Sequence, residues 1–112
     1  MKLSEIIAIL SAKSYTNNVD LNLSIASCRA SDLLSDVLRN PIDNSILLTG
    51  LINTQVIRTA EIMDILVIVF VRNKKPSKEI MQLALNNDII LLGTEYKLYE
   101  CCGLLYSHGL RS

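Results

Sequence analysis

Apolar and polar residues follow one another most regularly in residues 45–71. A short apolar run at 46–48 leads into a Thr-Gly turn, and apolar positions then recur at the spacing of a helix. Residues 65–71 are apolar without interruption, which is typical of a strand in a parallel sheet with both faces covered. The stretch therefore predicts a strand, a helix and a second parallel strand, joined as a right-handed βαβ crossover.

The rest of the chain divides into helices and strands by the same reasoning. Side-chain oxygens that can accept from free N–H groups mark the starts of four helices, and the expected caps are Ser31, Asn53, Ser77 and Thr94. The Asn40-Pro41 pair is expected to end the second helix, because a residue before proline avoids the helical region. Four further elements are predicted: an amphipathic helix at 3–11, strands at 21–26 and 89–92, and a last helix at 95–107.

Two details of these elements carry consequences for packing. The helix after Ser31 is expected to face the core with its four apolar residues, Leu33, Leu34, Val37 and Leu38. Residues 28–30 are interpreted as a short connector between the first strand and this helix. The alternation of strands and helices predicts an α/β fold with a mainly parallel sheet of about four to five strands, flanked by helices. A chain of 112 residues is expected to be a single domain, 1–112.

Charge and cysteine content narrow the class of protein. Eleven basic and eleven acidic residues cancel, so we expect no nucleic-acid partner and no membrane partner. No apolar run approaches the roughly 18 residues that suggest a membrane span. The three cysteines are odd in number and lack Cys-x-x-Cys spacing, which favours reduced thiols in a cytoplasmic protein.

The last predicted helix is apolar on nearly every side. Its apolar residues are Tyr96, Leu98, Tyr99, Cys101, Cys102, Leu104, Leu105 and Tyr106. A helix of this kind is buried on more than one side, and in so small a domain the second side is expected to face another subunit. The pattern therefore predicts a homodimer. His108, the only histidine, is expected to cap the end of this helix.

Candidate chemistry lies in the loops that follow the strands. In open parallel sheets ligands bind at the carboxyl ends of strands, and helix N-termini near these loops favour anions. The sequence therefore predicts contacts with a small phosphorylated ligand. The candidate residues are Ser31, Thr49, Gly50, Asn53, Arg72, Lys74 and Thr94.

The sequence contains no recognised catalytic motif. It has no phosphate-binding Gly-x-x-x-x-Gly-Lys-Ser/Thr loop, no Gly-x-Gly-x-x-Gly dinucleotide fingerprint and no Gly-x-Ser-x-Gly nucleophile elbow. A single histidine and scattered cysteines do not suggest a triad or a zinc site. We therefore expect no catalytic residue, no metal and no cofactor.

Residues 47–110 resemble the DRTGG domain, and the likeness continues through SDLLSDVL at 31–38 and KLSEIIAIL at 2–10. Thr49-Gly50 matches the Thr-Gly of the family's Asp-Arg…Thr-Gly-Gly signature, whereas Leu51 stands in place of the second glycine. The Asp-Arg element is not intact, since residues 28–32 read Cys-Arg-Ala-Ser-Asp. The resemblance is closest to small stand-alone members, and the N-terminal domain of HPr kinase is similar in fold. Other members stand beside CBS domains in regulated pyrophosphatases, which implies a regulatory or dimerising α/β module.

Two functions follow from these observations. The first is a non-catalytic regulatory module that forms a homodimer and binds a small phosphorylated ligand or a partner protein. The alternative is a phosphoryl- or acyl-transfer enzyme that uses the loops at 49–53 and 72–75. The first agrees with the missing catalytic motifs, and the second would need a base or nucleophile in a recognised setting.

Overall fold

One five-stranded sheet forms the centre of the fold. The computed structural model describes residues 1–39 and 44–112. The strands are β1 (Lys13–Ser14), β2 (Ser27–Ala30), β3 (Ser45–Thr49), β4 (Val67–Phe70) and β5 (Ile90–Gly93). Their order across the sheet is β1-β5-β4-β3-β2, and β2 to β5 pair in parallel. Only β1 pairs antiparallel, with β5. The α/β fold with a mainly parallel sheet is therefore confirmed.

Helices cover both faces of the sheet. They are α1 (Leu3–Leu10), α2 (Leu34–Arg39), α3 (Thr54–Ile62), α4 (Lys78–Asn86) and α5 (Leu98–Ser107). The buried residues of α1 and α5 share one core cluster with one set of strand residues. Those of α2, α3 and α4 share a second cluster with the alternate strand residues. Two hydrophobic cores therefore sandwich the sheet.

Strand β4 shows why its sequence has no polar alternation. Val67 and Val69 belong to the core under α1 and α5, whereas Ile68 and Phe70 belong to the core under the other helices. All four side chains are fully buried. Since successive strand residues point to opposite faces, a strand covered twice must be apolar at every position. Each such side chain contributes about 1.5–3 kcal/mol by leaving water.

Two of the four predicted helix caps are confirmed and two are wrong. The Asn53 side chain accepts from Val56 N at 3.2 Å, and Ser77 Oγ accepts from Ile80 N at 3.2 Å. Helix α5 instead begins after Lys97, three residues later than predicted. Thr94 does not cap it, because its hydroxyl donates to the carbonyl of Leu10 at 2.7 Å. This bond attaches the loop after β5 to the C-terminal end of α1.

The strand predicted at 21–26 is also wrong. The first long strand of the sheet is instead β2, which lies at residues that the sequence pattern assigned to a connector. The alternating segment lies across the start of α1, where the carbonyls of Leu21 and Leu23 accept from Ser4 N and Leu3 N at 3.1 and 2.9 Å. Free N–H groups at a helix start require acceptors, and here a distant backbone supplies them.

Helix α2 is less buried than its sequence predicts. Val37 is buried, but Leu33 and Leu38 are 57% and 45% exposed. A helix of six residues that packs beside α3 at the margin of this core buries only a narrow stripe. The proposed stop at Asn40-Pro41 lies outside the described residues. At the other end of the chain, His108 is the C-cap of α5, as expected.

Candidate functional site

The loops that follow β2, β3, β4 and β5 meet at one end of the sheet, which we call the carboxyl edge. The parallel pairing of these strands brings their carboxyl ends side by side. The predicted ligand residues all lie in or beside these loops: Ser31, Thr49, Gly50, Asn53, Arg72, Lys74 and Thr94. They divide into a group after β2 and β3 and a group after β4 and β5. The two groups differ in what surrounds them.

After β3, the turn at Thr49-Gly50 already binds a carboxylate of the chain. Gly50 N donates to Asp32 Oδ1 at 2.7 Å, and Thr49 Oγ1 donates to the same oxygen at 3.0 Å. Thr49 Oγ1 in turn accepts from Leu51 N at 3.1 Å. The carboxylate oxygen therefore holds the position that a phosphate oxygen would take at this turn. Asp32 was not predicted as a site residue, because residues 28–30 were interpreted as a connector and its position two residues after a strand was therefore not apparent.

Charged side chains from two neighbouring loops lie close to the backbone of Gly50. A Cβ on Gly50 would lie 2.5 Å from Arg72 Nη2 and 3.4 Å from Asp32 Oδ2. The guanidinium and the carboxylate thus lie over the same glycine, and Arg72 comes from the loop after the neighbouring strand. Oppositely charged groups from two loops therefore meet over the turn that follows β3.

Two of the predicted ligand residues already bind the backbone locally. The Asn53 amide is the N-cap of α3. Ser31 Oγ accepts from Leu33 N at 2.9 Å and lies 3.1 Å from the Leu33 carbonyl. The Asn53 cap stabilises the start of α3. Ser31 instead stabilises a turn ahead of α2, which begins only at Leu34, so its predicted role as the cap of that helix is wrong.

The loops after β4 and β5 are joined by backbone hydrogen bonds. Arg72 N donates to the carbonyl of Tyr96 at 2.8 Å, and Asn73 N donates to that of Thr94 at 2.9 Å. Arg72 and Asn73 both adopt left-handed backbone conformations, with φ of 58° and 57°. Such conformations cost non-glycine residues of order 1–3 kcal/mol and persist where surrounding contacts hold them. The bonds to the neighbouring loop supply that constraint.

A cavity of about 310 Å³ opens beside these loops, between the end of α1, strand β1 and the turn after β5. We call it the edge cavity. Its polar lining is Ser11, Lys13, Asn73, Thr94, Glu95 and Tyr96. Of the predicted ligand residues, Thr94 lines it, whereas Arg72 precedes the lining residue Asn73 in the chain. The volume lies at the lower end of the range of small-molecule sites.

Tyr15 supports one wall of the edge cavity. Its ring packs against Gly93, so closely that a Cβ there would lie 2.8 Å from Tyr15 Oη. Its hydroxyl donates to the carbonyl of Lys74 at 3.5 Å, and Lys13 Nζ lies 5.5 Å from its ring centroid. Sequence patterns did not indicate Lys13 or Tyr15, because β1 pairs antiparallel with β5 and was not predicted as a strand.

Basic side chains outnumber acidic ones around the edge cavity and the adjoining loops. Exposed acidic groups are supplied by Glu95 and by Asp32 at the far end. The exposed basic residues are Lys13, Arg72, Lys74 and Lys75. Although the whole chain is neutral, this end of the sheet therefore carries a local excess of positive charge.

The cysteines lie away from the carboxyl edge loops and are poor nucleophiles. Burial, followed by the charges of Cys102 and Cys101, raises the pKa of the Cys28 thiol to about 12. Burial, with smaller contributions from Cys102 and Glu100, raises the pKa of Cys101 to about 12. Thiols with such pKa values are protonated near neutral pH.

Within residues 1–39 and 44–112, no group of three or more His, Cys, Asp or Glu side chains is placed to hold a metal ion. No described helix has the length and apolar character needed to cross a membrane.

Comparison with solved structures finds similar folds. The chain is similar to part of the crystal structure of the CBS and DRTGG domains of the regulatory region of Clostridium perfringens pyrophosphatase, complexed with the activator diadenosine tetraphosphate. The TM-score is 0.76 at 18% sequence identity, and the match covers 93% of this chain and 45% of the other. No family model matches the sequence, and no curated protein matches it. The likeness therefore shows the fold, and membership of the DRTGG family stays a prediction.

Proposed function

We propose that this chain is a non-catalytic regulatory module that binds a small phosphorylated ligand in the edge cavity. The observation that carries the proposal is the position of this cavity, at the carboxyl ends of parallel strands. Its charged lining is Lys13 and Glu95, and the exposed basic residues of the loop after β4 add positive charge beside it. Support also comes from the fold, since the similar structure is a regulatory region complexed with a nucleotide activator.

The edge cavity is a better ligand site than the Thr49-Gly50 turn for a physical reason. At the turn, Asp32 already accepts from the available N–H and hydroxyl groups, so a phosphate would have to displace a bound carboxylate. In the edge cavity, Lys13 and Asn73 present a cation and an amide to open space. The aromatic ring of Tyr96, which is half-buried there, suits a base or sugar ring.

Contacts at the carboxyl edge disfavour the alternative of a transferase. Thr49 is fully buried and its hydroxyl donates to Asp32, so it is poorly placed to attack a substrate. His108, the single histidine, caps α5, and its Nδ1 lies 2.7 Å from the Leu104 carbonyl. A phosphoryl- or acyl-transfer reaction needs a nucleophile or base within reach of the substrate.

We further propose that the module acts as a cytoplasmic homodimer. The homodimer is supported by the exposed side of α5, where Tyr99 is 88% and Tyr106 is 61% exposed. The cytoplasmic location is supported by the cysteines, which are all free. Large apolar residues exposed together on one helix are typical of interaction surfaces. If no small compound binds to the chain, a partner protein becomes the proposed ligand of the module.

Thermal denaturation in the presence of nucleotides and sugar phosphates, diadenosine tetraphosphate included, tests the ligand. A compound at 100 times its dissociation constant stabilises the native state by about 2.7 kcal/mol, so its melting temperature should rise measurably. Lys13→Ala should reduce this rise, since Lys13 lines the edge cavity. Lys2→Ala is the matched control, because Lys2 is exposed at the opposite end of α1. No rise with any compound at millimolar concentration would contradict the ligand-binding proposal.

A further inference from the structure

The outer side of α5 carries a stripe of four residues, of which three are exposed and Cys102 is half-buried against the core. Tyr99, Cys102, Gly103 and Tyr106, which we call the α5 stripe, stand at the i, i+3, i+4 and i+7 spacing that places residues on one side of a helix. Tyr99 and Tyr106 are largely exposed, whereas the core side of the same helix is fully buried. Helix α5 is therefore buried on one side only within the chain.

A shallow groove of about 200 Å³ lies between the α5 stripe and the edge strand β2. Cys28 and Ala30 of β2 form one wall, and Tyr106 and Leu110 belong to the other side. The carbonyl of Arg111 accepts from Cys28 N at 2.9 Å, so the C-terminal segment closes one end of the groove. An apolar groove thus continues directly from the stripe.

The α5 stripe carries a tyrosine at the same distance on either side of its midpoint. Its sequence is Tyr-x-x-Cys-Gly-x-x-Tyr, with the midpoint between Cys102 and Gly103. If two copies of the helix pack antiparallel about that midpoint, Tyr99 of each copy faces Tyr106 of the other. A two-fold dimer requires a self-complementary patch of this kind.

Gly103 is unexplained by contacts within the chain but suits a helix crossing. A Cβ at this position would meet nothing within 4 Å in the described structure, so no close approach inside the chain requires a glycine. Glycine inside a helix is less favourable than alanine. At the midpoint of two crossing helices, a residue without a side chain lets the backbones approach closely.

Charges at the two ends of the helix favour the same antiparallel arrangement. Two acidic residues, Glu95 and Glu100, and one basic residue, Lys97, lie at its N-terminal end, which leaves a net negative charge there. Arg111 lies just past its C-terminal end. The Arg111 guanidinium is held 3.8 Å from the ring centroid of Tyr106. Antiparallel packing brings this cation to the acidic end of the second helix, and opposed helix dipoles add to the attraction.

We propose that the α5 stripe docks a second copy of this chain, with two antiparallel α5 helices crossing at Gly103. The proposal rests on the homodimer proposed above and specifies its interface. Tyr99 of each copy packs against Tyr106 of the other, beside the groove along β2. Cys102 of each copy then lies next to the two-fold axis.

Replacement of Gly103 tests the interface without disturbing the chain. Gly103→Glu has room in the isolated chain and places two like charges at the helix crossing. Light scattering should give about twice the 12.5 kDa chain mass for the natural sequence and a single chain mass for Gly103→Glu. Ile62→Glu is the matched control, since Ile62 is 70% exposed on α3 and should leave the dimer intact. Thermal melting of both variants confirms that each is folded. If Gly103→Glu does not fold, Tyr99→Lys takes its place in the same measurement.

Cross-linking at Cys102 tests the antiparallel geometry separately. Because burial raises the pKa of the Cys102 thiol, the reaction is run at alkaline pH. A short bis-maleimide should then join two chains in the natural protein, Cys28→Ser should retain the cross-link and Cys102→Ser should abolish it. A dimer that survives both Gly103→Glu and Tyr99→Lys, or a cross-link that survives Cys102→Ser, overturns the proposed interface. A natural chain that is monomeric at all concentrations overturns the interface and the homodimer together. Ligand-induced shifts in melting temperature are measured independently, so either failure is distinguishable from failure of the ligand proposal.

Discussion

The two ends of the carboxyl edge follow parallel strands of one sheet, yet one is closed by the chain and the other is open. After β3, the N–H of Gly50 and the hydroxyl of Thr49 both donate to Asp32. After β5, the turn at Thr94 adjoins a cavity of about 310 Å³. Both turns have residue types that favour an anion, so residue type alone does not separate them.

The difference shows that hydrogen-bond donors at the end of a strand do not by themselves predict an anion site. They predict one only if no carboxylate or carbonyl of the chain already accepts from them. Asp32 follows the edge strand β2, whose parallel register with β3 brings the carboxylate to the neighbouring turn. The outer neighbour of β5 is the short antiparallel strand β1, which brings Lys13 and Tyr15 to the turn after β5 instead of a carboxylate. The neighbour in the sheet therefore decides whether a turn is closed.

The largest expected effect separates the glycines at the two ends. Gly93→Ala should destabilise the protein by about 1–3 kcal/mol, because its Cβ would clash with the rigid ring of Tyr15. Gly50→Ala should cost less, since the atom in closest contact is the end of the flexible Arg72 side chain. Urea denaturation of both variants measures the free energy of unfolding. Equal losses would show that the ring of Tyr15 moves aside as easily as the guanidinium.

Removal of Asp32 should convert the closed end into an open one. Asp32→Ala deprives Gly50 N and the Thr49 hydroxyl of their acceptor. We expect a loss of about 1–2 kcal/mol, because both donors are buried and water entering from the exposed side of Asp32 replaces the carboxylate only in part. Inorganic phosphate should then stabilise the variant more than the natural protein, as measured by melting temperature. Asp36→Ala, an exposed charge-matched change on α2, is the control. A phosphate response equal to that of the natural protein would show that the turn does not favour anions.

The smallest expected effect concerns the wall of the open end. Tyr15→Phe removes the hydrogen bond to the Lys74 carbonyl, whose length of 3.5 Å indicates a weak interaction. We expect a loss of about 0.5 kcal/mol or less in the free energy of unfolding, because that bond is exposed. Ligand-induced stabilisation should be largely retained, since the ring that packs on Gly93 remains. Loss of the ligand response in this variant would show that the hydroxyl positions the loop for binding.

Local features of the fold were predictable from the sequence. Asn53 and Ser77 cap helices through backbone groups three residues away, so the interaction lies within a single sequence window. The unbroken apolar run of β4 required helices on both faces of the sheet, and both are present. These elements depend on chain neighbours and on the side-chain period, which any sequence displays.

Tertiary structure alone decided which residues serve the carboxyl edge. Thr94 lost its predicted capping role to the Leu10 carbonyl, 84 positions away, and Asp32 reaches Thr49 across 17 positions. The strand at 27–30 forms because β3 offers a parallel edge, while the alternating segment before it supplies acceptors to α1. A polar side chain binds whichever partner the packed chain brings within hydrogen-bond distance, so the sequence determined the elements and the sheet order decided their polar contacts.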